Sequence, residues 1–82
     1  MKFLEKYQHA KNWQERATII NLYHQIKCAK YKSWTLRKSA SYFDLSVGYT
    51  SEALWLASEF DKVKGFETRK EALELLKKEL KK

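Results

Sequence analysis

His24 and Cys28, four residues apart, put an imidazole and a thiol on one turn of a helix, two potential ligands of a metal site. That site is not completed. A metal needs a third and fourth ligand, and His9 is the only other histidine; no plausible nucleophile lies beside either histidine, and no glycine-rich loop is available to cradle phosphate. The chain therefore reads as a non-enzyme with no cofactor, no metal site and no small-molecule substrate. As the only cysteine, Cys28 forms no internal disulfide, and in an apolar helical context a free thiol behaves as a small hydrophobe.

A different chemistry is better provided for. From Lys27 to Phe43 the chain carries Lys27, Lys30, Lys32, Arg37 and Lys38 without one acid, interleaved with Tyr31, Trp34 and Tyr42. Cations at that density suit phosphate oxygens. Residues 1–32 hold seven basic and two acidic groups, a balance of +5. Residues 33–60 hold two and three, or −1, and residues 61–82 hold eight and five, or +3, giving the whole chain +7. The excess thus flanks the middle of the chain, and acidic partners such as nucleic acid or an anionic surface come first.

The middle stretch, Leu36 to Ala57, reads as a short helix, a three-residue turn and a second helix, which is helix-turn-helix geometry. Thr35 caps the first helix, over Leu36 to Phe43. Ala40 is the small residue needed where two helices cross closely, and Asp44 stands where left-handed backbone is wanted. Leu45 points inward, Ser46 caps the second helix, and Thr50, Ala53, Leu54 and Ala57 face the core. Its exposed edge is then Ser46, Val47, Gly48, Tyr49, Ser51 and Glu52, with Trp55 either on that edge, in the core or at a partner contact; Tyr49 has the same alternatives.

The segment TLRKSASYFDLSVGYTSEALWLA resembles the helix-turn-helix of ParB-like partition proteins and of small plasmid- and phage-encoded DNA-binding proteins. Thr35, Leu36, Ala40, Phe43, Leu45, Ser46, Ser51, Leu54, Leu56 and Ala57 match that pattern, over about a quarter of the chain. Asp44 stands where glycine is common, and Thr50 where the pattern has valine, so its hydroxyl needs a partner. The resemblance implies sequence-specific binding of duplex DNA, without the nucleotide-hydrolysing clamp of full-length ParB. In that docking the second helix enters the major groove, and Ser46, Val47, Gly48, Tyr49, Ser51 and Glu52 face base edges. Lys30, Lys32, Thr35, Arg37, Lys38 and Ser39 are placed for phosphates. Two alternatives come from other classes: a protein-interaction module, such as a phage factor acting on host machinery, and a DNA-packaging recognition subunit.

The elements that must position these residues are helical. No proline and two glycines in 82 residues leave little for hairpin turns, while 44% hydrophobic and 15% aromatic residues suffice for one core. The expected fold is an all-α, compact bundle of four or five helices around a central helix-turn-helix, in one domain. Asn12, with Glu15 three residues on, starts a helix from Trp13 to Lys30, whose apolar set is Trp13, Ala17, Ile20, Tyr23 or His24, and Lys27 or Cys28, widened by Ile19 and Ile26. Phe3, Leu4 and Tyr7 suggest a short leading turn or helix, with no cap to mark its beginning. The second helix of the middle stretch runs through Phe60 and ends before Gly65, and Thr68 with Glu71 opens a last helix to about residue 81. The stripe of Leu73, Leu76 and Leu80 offers a homodimer contact, with a solvated lysine-rich end as the plainer reading; membrane binding is disfavoured, because this face has no Trp or Phe. Without a signal-peptide pattern or an apolar run of eighteen residues, the expected place is the cytoplasm, on the nucleoid.

Overall fold

The computed structural model describes residues 3–80; Lys81 and Lys82, part of the expected lysine-rich end, lie outside it. Its helices are α1 (Phe3–Gln8), α2 (Trp13–Lys30), α3 (Leu36–Tyr42), α4 (Val47–Ser58), α5 (Phe60–Val63) and α6 (Arg69–Leu80), with no strand among the described residues. The all-α class is as expected. The leading segment is a helix, and six helices replace five because the expected run through Phe60 breaks at Glu59 (φ −111°, ψ 29°), leaving α5 as a separate turn.

Each start has a local cause. Asn12 Oδ1 accepts from the Glu15 amide at 2.9 Å, and Glu15 reaches back to the Lys11 amide. Before α6 the Thr68 hydroxyl accepts from the Glu71 amide at 3.3 Å and donates to the Glu71 carboxylate at 2.9 Å. Two distant segments are then tied together by side chains: Trp13 Nε1 and Gln14 Nε2 both donate to the Phe66 carbonyl, at 2.9 and 2.8 Å, fixing the α5–α6 connection on the first turn of α2.

The core lies between α2 and α4, with Ile20, Leu56, Val63 and Ala72 fully buried and Ala17, Ala53 and Leu76 nearly so. Tyr23 is the hub of an aromatic cluster: it stacks on Tyr42 at 4.2 Å and meets Phe3, Phe43 and Trp34 edge-on at 5.6, 5.1 and 6.1 Å. Two expectations about helix faces are corrected here. Leu73 and Leu76 are buried inside this chain, so a dimer seam of Leu73, Leu76 and Leu80 does not exist; only Leu80, 73% exposed, is left of it. Ile26 is 44% exposed rather than widening the core, and Cys28 is exposed too, because the inward face of α2 is already filled by Trp13, Ala17, Ile20 and Tyr23.

Candidate nucleic-acid interface

Thr35, with extended backbone, caps α3 by accepting from the Lys38 amide at 3.3 Å. At the other end the Leu45 amide donates to the Ala40 carbonyl at 2.9 Å and the Asp44 amide to the Ser41 carbonyl at 3.1 Å. This pair of bonds is a Schellman closure, which demands left-handed backbone at the residue just past the helix cap. Asp44 supplies it at φ 58°, alone among the described non-glycine residues. Ser46 then starts α4 by accepting from the Tyr49 amide at 3.0 Å. The buried Thr50 hydroxyl donates to the Ser46 carbonyl at 2.9 Å, so the polar group standing in a valine-like position is satisfied within one turn.

On α4 the six expected base-edge residues divide. Ser46, Val47, Gly48 and Ser51 are exposed and with the exposed Ser58 form an outward face without a charge; Leu54 and Trp55 border it, half-buried and packed against the core. Tyr49 and Glu52 are turned away from it, which corrects their assignment. Both are held by Arg69 of α6: its Nη2 donates to Glu52 Oε1 at 2.7 Å, and its guanidinium lies 4.0 Å from the centre of the Tyr49 ring. Lys77 adds a longer contact to Glu52 at 3.9 Å. Tyr49 also crowds Tyr7, whose hydroxyl is held above its ordinary pKa by burial first and by Tyr49 second, against the opposing Arg16 and Arg69 charges.

The phosphate set mostly stands in the open. Lys30, Lys32, Thr35, Arg37 and Lys38 are exposed, and among the described residues no ion pair includes any of these cations or Lys27; the paired ones are Lys62, Lys64, Arg69 and Lys77. Aromatic faces hold three of them, Lys27, Lys30 and Lys38, instead. Tyr31 and Trp34 stack at 5.8 Å, Lys27 lies 5.4–5.6 Å from the ring centres of Tyr23, Tyr31 and Trp34, Lys30 is 5.5 Å from Tyr31, and Lys38 is 5.6 Å from Trp34. A cation resting on a ring keeps its positive charge, so the patch stays available to an anion. Since the Thr35 oxygen serves the Lys38 amide as acceptor, its own proton is left to donate outward.

Ser39 does not belong to this set. It is fully buried, accepting from Trp34 Nε1 at 2.8 Å and lying 2.7 Å from His24 Nδ1. The indole only donates, so the Ser39 oxygen accepts from it, and the other ring nitrogen of His24, Nε2, lies 3.4 Å from Cys28 Sγ. Sequence gave no signal for this chain of contacts, since a serine one turn into a helix beside basic residues looks solvated. No cluster of three or more His, Cys, Asp or Glu able to hold a metal lies among the described residues. None of their helices is long and apolar enough to cross a membrane. No protein family, curated protein sequence or solved structure matches this chain.

Proposed function

We propose that α3, the Asp44 turn and α4 act as a helix-turn-helix that binds duplex DNA with sequence preference, in a small transcriptional regulator or partition-type protein of a phage, plasmid or other mobile element. One observation carries this reading: the α3–turn–α4 unit joins an uncharged, small-residue edge at the start of α4 to a preceding run of exposed cations that form no ion pair among the described residues. Lys30, Lys32, Arg37, Lys38 and the Thr35 hydroxyl hold phosphates. Ser46, Val47, Gly48 and Ser51 meet base edges, where Ser51 donates or accepts and Val47 touches a thymine methyl. With no Arg or Asn on that edge, DNA shape contributes to selectivity.

Gly48 supports the same reading. A β-carbon built there meets nothing within 4 Å, and its φ is not positive, so the fold itself has no use for glycine at the second position of α4. Glycine weakens a helix relative to alanine by up to about 1 kcal/mol, and it is tolerated where another molecule must approach the backbone closely.

Selection of bound duplexes from a random pool, followed by a salt titration on the winner, tests the proposal. Four cations on phosphates imply a log affinity that falls with log salt at a slope of about 3.6, together with a recoverable consensus. Absence of binding to any duplex at low ionic strength overturns it. The outward face of α4, uncharged, bearing Val47 and bordered by Trp55, favours a protein partner as the second reading; a partner retained on the immobilised chain after nuclease treatment, with no duplex selected, decides for that one.

A further inference from the structure

Opposite its buried face, α2 carries a second apolar line. Ile19, Leu22, Ile26 and Ala29 follow one another at spacings of three, four and three. That is the repeat by which one helix seats against another. Leu22 is 46% and Ile26 44% exposed and Ala29 is exposed, so the line stands outside the core except at Ile19, which is half-buried against it. Its neighbours on this face, Thr18 and Gln25, are uncharged. Charge enters only at its two ends, with Glu15 before it and Lys30 after it.

We propose that this face seats a second copy of the chain, with α2 packed antiparallel on α2 of its partner about a two-fold axis. The ends of the line choose both occupant and direction. Antiparallel pairing sets Leu22 against the other copy's Ile26 and Ile19 against its Ala29, and it brings the Glu15 carboxylate within reach of the other copy's Lys30 ammonium, twice by symmetry. Parallel pairing would instead put Glu15 on Glu15 and Lys30 on Lys30, which like charges oppose. A groove of about 480 Å³ opens beside Ile19, walled by Ala10, Gln14, Thr18 and Phe60 and rimmed by Lys6, His9 and Glu15, and it receives the end of the other copy's line. One helix pair alone is at the small end of stable interfaces, so the dimer is weak and concentration-dependent. Lys30 is shared between this contact and the phosphates.

Sedimentation velocity of the full chain over a concentration series tests the assignment. The mass is expected to rise from 9.8 kDa to twice that value. Ile26→Asp or Leu22→Asp shifts the midpoint at least about tenfold, with circular dichroism unchanged because both side chains are exposed. Glu15→Lys weakens association, and adding Lys30→Glu restores it, while Leu80→Lys has no effect. A chain that stays monomeric up to about 1 mM overturns the proposal, as does a dimer that ignores Ile26→Asp or is dissolved by Leu80→Lys. All of these readouts are taken without DNA, so they stand or fall separately from the DNA-binding reading.

Discussion

Arg69 Nη2 donates to Glu52 Oε1 at 2.7 Å, seventeen residues away in sequence, while the same guanidinium covers the Tyr49 ring. One α6 side chain thereby takes two α4 residues out of the outward edge. The pair is partly exposed, with 24% of Arg69 and 36% of Glu52 accessible, which limits its worth; Arg69 Nε is buried without a partner and offsets some of the gain. Arg69→Ala is expected to cost about 1–2 kcal/mol by urea denaturation, from the ion pair, the ring contact and the lost packing of the stem. Glu52→Gln costs less than about 1 kcal/mol and leaves the order of preferred duplexes unchanged. A changed consensus in Glu52→Gln would return that carboxylate to the base edge.

Ser39→Ala removes the partner of two half-buried groups at once, Trp34 Nε1 and His24 Nδ1. An orphaned buried polar group costs about 1–3 kcal/mol, and these two keep some access to water, so the expected loss is about 1–3 kcal/mol in all. Thr35→Ala, which removes an exposed cap, costs about 1 kcal/mol. If urea denaturation ranks the two the other way round, Ser39 is not the organising group of this corner.

Alkaline solution should loosen the aromatic side of the bundle. Burial, with Tyr49 second, holds the Tyr7 hydroxyl above its ordinary value of 10.0, and burial, with Tyr42 second, does the same to Tyr23. A group whose folded pKa is raised contributes stability in full below its unfolded value and loses it as pH climbs through the folded one. Stability is therefore complete below about pH 10 and declines above it. Lys62, raised mainly by its bond to Glu79, acts in the same direction at the surface. Tyr7→Phe with Tyr23→Phe flattens the decline in pH-dependent urea midpoints; an unchanged slope would place the loss elsewhere.

What was legible in the sequence was mostly local. Asn12, Thr35, Ser46 and Thr68 all cap as read, since a cap joins groups two or three residues apart. Asp44 takes the left-handed position because the preceding helix ends there and its short polar side chain tolerates that backbone. What failed was decided by partners far along the chain. Periodicity marks Leu73 and Leu76 as one apolar stripe, yet cannot say that this chain's own core, rather than a second copy, covers it. Tyr49 and Glu52 lie beside Val47 and Ser51 in sequence, but the helical turn carries them round to Arg69. Ser39 is buried by Trp34 and His24, whose meeting requires the tertiary fold.

Gly48→Ala separates the fold from the interface most sharply. The added methyl group has open space around it and alanine is the better helix former, so the folded chain should be unchanged or stabilised by up to about 1 kcal/mol. A duplex lying against the start of α4 would meet that methyl directly, and affinity should drop at least about tenfold, which is about 1.4 kcal/mol. Arg37→Ala or Lys38→Ala instead lowers the salt slope by about one each and weakens all sequences alike. Reading urea midpoints and duplex affinity on the same preparations distinguishes the two kinds of contact. If Gly48→Ala binds DNA as the parent does while Arg37→Ala loses affinity, the cations grip DNA through a face that excludes α4, and the outward edge of that helix is left to a protein partner.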